Sequence, residues 1–318
     1  MGTEIQMVGW MKRGIVFSIA GVITLLVARV SSADLVIDAR TRLAQNSSAA
    51  AESELRDYKA RNGATPEYLE ALSWMARAAA ADRQWDKAAA VAGDVRTQSE
   101  LQLAKRKLDA EPHLPMALGA AYEVLAQGME AKGQRDAAVR LLRSALTKYT
   151  ATSIGPRLQK NLNLLALTGR PAPALVETQF LGPKPVGLTS LKGSPVLLFF
   201  WAHWCVDCKA EVPIIARLRQ EFGGRGLVVI GPTQLYGYGA QGADATPAAE
   251  RTYIEAVRQK YYASLLDMPV PLSQENFKTY GASTTPTLVV LNRAGQVSTY
   301  HPGAMTYEEL RAAVERAL

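Results

Sequence analysis

The chain has 318 residues, 48% of them hydrophobic and 20% charged, enough apolar material for about two domains and too much for wholesale disorder. Its net charge of +7 is spread as +2 over residues 1–33, +4 over 34–170 and +1 over 171–318, with no clustered basic face, which argues against nucleic acid as a partner. The two cysteines, Cys205 and Cys208, are three positions apart, too few for a disulfide scaffold or a four-cysteine zinc site.

At the start of the chain, Lys12-Arg13 precedes fifteen uncharged residues, Gly14 to Ala28, and Ser31 and Ala33 supply small side chains for a cut after Ala33. That order defines an export signal, and the run is short of the roughly 20 apolar residues a membrane span needs. Arg29, directly after the run, leaves an uncleaved anchor open. Residues 1–33 are therefore expected to be a signal peptide or signal anchor. The rest is expected in the periplasm, soluble or held at the inner membrane by residues 12–30, where an oxidising environment gives a dithiol meaning.

Residues 34–170 are rich in Ala, Leu, Glu and Arg and poor in β-branched residues, which favours helix. Thr65 and Pro66 predict a capped helix over 66–82, with Leu69, Leu72, Met75, Ala76 and Ala79 on one face. Trp85 to Val95 predicts a short partner. Pro115 opens a long helix to Lys132, Gly133 breaks it, and Arg135 to Tyr149 follows. Leu118-Gly119, Tyr122, Gly133, Ala138 and Ala145 resemble a tetratricopeptide-type repeat whose first helix is about two turns too long. An all-α domain of helical hairpins is expected, serving either as a docking surface for a partner protein or as a packed spacer or dimerisation module.

Residues 171–318 alternate strand and helix. Pro195 to Trp201 is a continuous apolar run, as a strand buried on both faces should be. A helix over 206–222, a second buried strand over 226–230, a helix over 248–263, a hairpin of 287–291 with 296–300, and a closing helix over 308–318 follow. Together they predict an α/β domain, a mixed sheet covered by helices.

The chemistry lies in Trp201-Ala202-His203-Trp204-Cys205-Val206-Asp207-Cys208. A C-x-x-C pair at a strand-to-helix junction puts the first thiol at a helix N-terminus, where unpaired N–H groups and the dipole favour its thiolate. The second thiol, one turn in, can resolve a mixed disulfide on the first. As a structural staple the pair closes too small a loop to stabilise much. Glu211, three residues past Cys208, shares its helix face and could exchange protons with the resolving thiol if burial raises its pKa.

Beyond the motif itself, Pro171-Ala172-Pro173, Leu191 to Leu198, Cys208-Lys209-Ala210-Glu211-Val212-Pro213 and Thr284-Thr285-Pro286-Thr287 resemble the thioredoxin-like exported thiol–disulfide oxidoreductases of the TlpA/ResA type. The resemblance covers about half the chain. It implies that Cys205 attacks, that Cys208 resolves, and that Glu211 is the active-site glutamate. It also implies that Pro286 is a cis-proline beside the dithiol, exposing the backbone of Thr285 to a substrate strand, and that Trp204 packs beside the sulfur and limits access. Disulfide-bearing substrate proteins, electrons from a membrane carrier of the DsbD/CcdA type, and a destination in cytochrome c maturation or general thiol homeostasis follow from the same likeness. No cofactor beyond the redox-active dithiol, and no metal, is expected. Asp207 departs from the family, which has proline there. Its charge opposes the helix dipole, and losing the proline frees the loop backbone. The direction of electron flow is thus open, with the resemblance favouring reduction.

Gly237-Tyr238-Gly239-Ala240-Gln241-Gly242 spells G-x-G-x-x-G but does not lead from strand into helix, so it fails as a dinucleotide fingerprint. The stretch Pro232 to Pro247 reads instead as a long loop, either flexible or a lip of the substrate site. Two other function classes compete with the oxidoreductase: an interaction protein working through its helical half, and a copper-handling protein that would need Cys205, Cys208 and a histidine such as His301 to converge.

Overall fold

The structure is a computed structural model that describes residues 32–318, which form one compact unit. The expected export signal lies outside the described residues, apart from its last two positions, which open the first helix.

Seven helices come first: α1 (Ser32–Ala44), α2 (Ser48–Asn62), α3 (Pro66–Ala81), α4 (Trp85–Gln102), α5 (His113–Ala131), α6 (Arg135–Tyr149) and α7 (Gly155–Ala166). The Thr65 hydroxyl accepts from the Tyr68 amide and Pro66 fills the first turn of α3, as the sequence predicts. Consecutive helices pack on one another around an alanine-rich core, with Ala88, Ala92, Ala117, Ala121 and Ala138 wholly buried. Such small side chains let helix axes approach closely. The turns after α3 and α5 are built alike. Arg83 and Gly133 both take positive φ, and Gln84 and Gln134 donate back to the carbonyls of Ala79 and Met129.

Two predicted boundaries move. Helix α4 runs past Val95 to Gln102 because Ser99 continues the buried face of Ala88, Ala92 and Val95 through a polar stretch. Helix α5 begins at His113 rather than Pro115 because the Glu111 carboxylate accepts the amides of both His113 and Leu114. Helices α1, α2 and α7 were not individually predicted. Helix α2 has only two buried positions, Ala51 and Leu55, and so little periodicity, whereas α7 carries a one-sided face with Leu158 and Leu162 buried.

The second half holds β1 (Phe180–Leu181), β2 (Val196–Phe200), α8 (Val206–Phe222), β3 (Val228–Ile230), α9 (Pro247–Tyr261), β4 (Val270–Pro271), α10 (Gln274–Tyr280), β5 (Thr287–Leu291), β6 (Val297–Pro302) and α11 (Tyr307–Glu315). Strands β3-β2-β5-β6 form the sheet. β3 is parallel to β2, and β5 is antiparallel to both β2 and β6. All five residues of β2 are buried, which is why it reads as an unbroken apolar run. Burying side chains such as Phe199 and Phe200 contributes about 1.5–3 kcal/mol each. Helix α10 and the pairing of β1 with β4 left too short a sequence signal to be predicted.

One sheet face packs Leu197, Phe199 and Val229 against residues of α8, α9 and α11. The opposite face packs Val196, Leu198, Phe200 and Val289 against Phe277 and Tyr280 of α10 and Leu167, which directly follows α7. The last helix of the all-α half thus helps cover the sheet. The segment between the halves is strapped down: Gly169 and Ala172 donate to the Val297 and Gly295 carbonyls, and the Asn276 side chain pairs with both backbone groups of Val176. Among the described residues, no helix is long and apolar enough to cross a membrane.

The tightest contact between the halves is at Gly281, which ends α10 with φ +60°. A Cβ there would lie 2.7 Å from the carbonyl carbon of Gln159 and closer still to the Lys160 amide, both backbone of α7. Gly133 has φ +73° with open space around its Cβ position. Gly133→Ala should therefore cost only the left-handed penalty of about 1–2 kcal/mol. Gly281→Ala should cost about 1–3 kcal/mol more, because two backbones must part. Chemical denaturation of both variants measures the difference, and equal losses would contradict a tight α7–α10 contact.

Candidate active site

The β2–β5 register places the site. Phe200 pairs with Thr287, so the chain leaving β2 through Trp201 to Cys205 faces the chain entering β5 through Thr284 to Pro286. Trp201 is fully buried and donates from Nε1 to the Gly231 carbonyl at 2.9 Å, while the Thr233 hydroxyl donates to the Trp201 carbonyl at 2.8 Å. The strand end is held on two sides before the chain turns into α8.

Cys205 is the N-cap of α8, and its sulfur accepts the Cys208 amide at 3.0 Å. The two cysteines form a disulfide with Cα atoms 5.3 Å apart. Both cysteines are buried, Cys205 at 4% exposure and Cys208 fully. Cys205 Sγ also lies 3.5 Å from the Thr285 carbonyl oxygen, and the Thr285–Pro286 peptide bond is cis. Cys205, Cys208, Thr285 and Pro286, singled out from the sequence, therefore meet in one place.

Trp204 is 48% exposed, with its ring edge-on to Tyr236, centroids 5.7 Å apart, so it is a surface side chain rather than part of the core. Val206, on the other side of Cys205, is exposed as well. Two apolar side chains thus flank the outer sulfur on an open face, an arrangement suited to contact with another polypeptide.

Glu211 is 1% exposed, with one carboxylate oxygen facing the Met305 amide at 3.4 Å. Desolvation pushes its pKa up to about 7, and the Asp207 charge adds to the rise. Glu211 thus sits near half-protonation at neutral pH, on the same helix as Cys208.

The structure adds a buried pair that sequence reasoning did not identify. His203 Nε2 lies 3.3 Å from Glu250 Oε1, and both residues are 1% exposed. Glu250 also accepts the amides of Tyr236 at 2.6 Å and Gly237 at 2.8 Å. Burial pulls the His203 pKa down despite the carboxylate, and the rings of Tyr236, Tyr238 and Tyr253 stand edge-on around the imidazole. Glu250 thereby ties the 232–247 segment to the residues just before Cys205. That segment is ordered: Gly239 donates to the Ala243 carbonyl and Ala245 to that of Gly237, closing a turn with Tyr238 opposite Asp244. These bonds tie the segment down as a lip beside Trp204 rather than leaving it free. A glutamate in the first turn of α9 carries no sequence mark of this role, because its partners lie 13 to 47 residues away. Among the described residues, no three His, Cys, Asp or Glu side chains are arranged to hold a metal ion.

The raised pKa of Glu211 has a definite sign for stability. The folded chain retains a proton that the unfolded chain, with a glutamate value of 4.5, releases. The associated stability is full below 4.5 and is lost as pH rises through about 7, a change of about 3 kcal/mol. Glu211→Gln should remove that loss and make the protein more stable than the parent at about pH 8 but not at about pH 4. Urea titrations of the oxidised protein at the two pH values test this, and an equal effect at both would show that the carboxyl is not held neutral by burial.

The Redoxin family model matches residues 167–318. The chain is 30% identical over 142 residues to the thiol–disulfide oxidoreductase ResA of Bacillus thuringiensis subsp. konkukian, covering 45% of this chain and 73% of that protein. It is 27% identical over 145 residues to the thioredoxin-like protein YneN of Bacillus subtilis, covering 45% and 75%. Among solved structures it resembles StoA of Bacillus subtilis, at 24% identity and a TM-score of 0.32, covering 40% of this chain and 87% of that one. It also resembles a thioredoxin-family thiol:disulfide interchange protein of Chlorobium tepidum, at 20% identity and a TM-score of 0.35, covering 46% and 95%. With the dithiol capping α8 beside Thr285–Pro286, and with a relative matched across nearly three quarters of its length, the chain belongs, through its second half, to the ResA-type thiol–disulfide oxidoreductases.

Proposed function

We propose that this protein is an exported reductase of protein disulfides, working through Cys205 and Cys208. The observation that carries this reading is the placement of the dithiol: Cys205 caps α8 between the exposed Trp204 and Val206, with its sulfur 3.5 Å from the Thr285 carbonyl oxygen, while Cys208 is fully buried one turn in. In the reduced protein, Cys205 thiolate attacks one sulfur of a substrate disulfide, forming a mixed disulfide and releasing the other substrate sulfur as thiolate. Cys208 then attacks Cys205, closing the Cys205–Cys208 disulfide and releasing the second substrate thiol. Two electrons and two protons pass to the substrate. Attack by Cys208 requires a buried thiol to lose its proton, and Glu211, three residues on along the same helix, is the group assigned to take it. Its pKa of about 7 suits a group that must both accept and return a proton at neutral pH.

Export rests on the charged, apolar and small-residue order of residues 12–33. Regeneration in the periplasm needs an electron donor, for which a membrane carrier of the DsbD/CcdA type fits the family resemblance. The helical half is the candidate docking surface for a partner protein, and cytochrome c maturation or general thiol homeostasis is the destination. Substrate contact is assigned to Trp204, Thr285 and Pro286. The chemistry itself calls for no cofactor, since the electrons pass between sulfur atoms.

The equilibrium reduction potential of the Cys205–Cys208 couple tests the direction. A value near or below that of thioredoxin, about −270 mV, is expected; a value near that of a strong periplasmic oxidant, about −120 mV, would reverse the assignment. Cys205→Ser should abolish disulfide reduction, and Cys208→Ser should accumulate mixed disulfides visible on non-reducing gels. Full activity in Cys205→Ser would sink the enzymatic reading and return the working role to the helical half.

A further inference from the structure

A groove of about 730 Å³ lies between α1 and α3, and the dithiol chemistry makes no use of it. On α1, Ile37, Arg40, Thr41 and Ala44 recur at helical spacing and form one wall, on the side away from the buried Leu35 and Ala39. On α3, Trp74 and Arg77 form the other. Ile37 is 57% exposed, a large apolar side chain left open to solvent. The Arg40 guanidinium lies 4.5 Å from the centroid of the Trp74 ring, and that of Arg77 lies 4.7 Å from it.

Two cations drawn to one indole repel each other unless an anion comes between them. Among the described residues neither guanidinium pairs with a carboxylate, whereas Arg42, two positions on from Arg40, is bonded to Glu54 at 2.7 Å. A guanidinium fork takes the oxygens of a phosphate in pairs, so the two arginines are suited to that group. Ile37 and the indole set an apolar surface beside the charges, which calls for a ligand anionic at one end and apolar at the other. The volume falls within the roughly 300–1,000 Å³ of sites that hold a small molecule. Chain connectivity then supplies such a ligand. Helix α1 starts at Ser32, four residues after the apolar run Gly14 to Ala28, and Arg40 is about 12 Å along it at 1.5 Å per residue. With residues 12–30 retained in a bilayer, the headgroup layer is held near the groove at high effective concentration, an advantage a soluble acidic peptide lacks. Tryptophan and basic side chains beside a membrane anchor are the residues that favour that layer.

We propose that the α1–α3 groove binds the headgroup of an anionic phospholipid, with Arg40 and Arg77 on the phosphate and Ile37 and Trp74 against the glycerol and the upper acyl chain. The proposal rests on the export reading, with residues 12–30 kept as an anchor, and is independent of the redox assignment. Because residues 32–318 form one compact unit, a seated α1 sets the orientation of that unit, dithiol included, toward the membrane.

The test uses the full chain in its oxidised form, where the Cys205–Cys208 disulfide leaves only an introduced thiol to react. Ile37→Cys places that thiol on the α1 wall and Ala81→Cys on the α3 wall, so either reads the groove if the other fails to fold. Val186→Cys, at a 51% exposed position of the second half, is the control. Each chain is reconstituted in nanodiscs of phosphatidylcholine, with or without phosphatidylglycerol, and its alkylation by a water-soluble maleimide is timed. Phosphatidylglycerol should slow the groove thiols about tenfold, the scale of two arginines at an anionic surface, and the control by less than about twofold. Adding Arg40→Gln or Arg77→Gln should restore most of the rate, whereas Lys105→Gln, an exposed cation outside the groove, should not. Equal restoration by Lys105→Gln would reduce the effect to net charge and overturn the site. Equal protection by inorganic phosphate in phosphatidylcholine discs, or protection by an oligoglutamate peptide in place of the lipid, would assign the groove to another anion and overturn the proposal. The intact mass of the chain recovered from membranes tests the anchor separately. A chain starting at Asp34 would remove the tether and the proposal with it, whereas an intact chain alkylated equally in both discs would overturn the lipid site and leave the anchor standing.

Discussion

The antiparallel register of β2 against β5 is the constraint on which the site depends. Two segments eighty residues apart must meet within one hydrogen-bond length for Cys205 to lie beside the Thr285 carbonyl. Five consecutive pairs, from Val196–Leu291 to Phe200–Thr287, hold them there, and every side chain in both strands is buried. A slip of one residue would exchange the faces of β2, moving Leu197 and Phe199 away from α8 and carrying Cys205 past Thr285. The hydrophobic filling of two opposite faces therefore fixes the chemistry indirectly, by making any other register expensive.

Around that junction, two buried carboxylates are held in different ways. Glu211 is kept near neutral by desolvation, with a charged Asp207 nearby adding to the effect. Glu250 is equally inaccessible but is surrounded by donors: two backbone amides and the His203 ring. The first arrangement suits a group that moves a proton. The second suits a fixed anchor, holding the lip that carries Tyr236 against the strand end that carries Cys205. His203 follows the same logic, since desolvation lowers its pKa and leaves the imidazole neutral beside its partner.

The helical half is not appended by a free linker. Its last helix meets α10 through the bare backbone at Gly281, Leu167 enters the core of the second half, and the 169–176 strap runs along β6 and α10. Contacts of this kind hold the α6–α7 corner at a set position beside the dithiol. A domain tethered only by flexible residues could raise the local concentration of a partner, but it could not hold a fixed position beside the dithiol.

Much of this was legible in the sequence because the signals are local. The buried run Val196–Phe200, the capped helix at Thr65-Pro66, the dithiol at a helix start and the hairpin into β6 each follow from neighbouring residues, and Cys205, Cys208, Glu211 and Pro286 could be named from spacing and family resemblance. Helices α1, α2, α7 and α10 were not individually named: α2 and α10, with two and three buried positions, have little periodicity to read, whereas the Leu158 and Leu162 face of α7 is legible. Glu250 was invisible for a different reason: nothing beside it in the chain distinguishes it from a surface residue, since its partners lie 13 to 47 residues away. The sequence by itself determined the chemistry, a dithiol at a helix N-terminus on a thioredoxin-like half behind an all-α half. Only the tertiary structure decided that Glu211 is buried with one long amide contact and Glu250 with three partners, and that Ser153 and Pro156 of the helical half stand near Trp204 and Thr285, because burial and contact between distant segments are properties of packing.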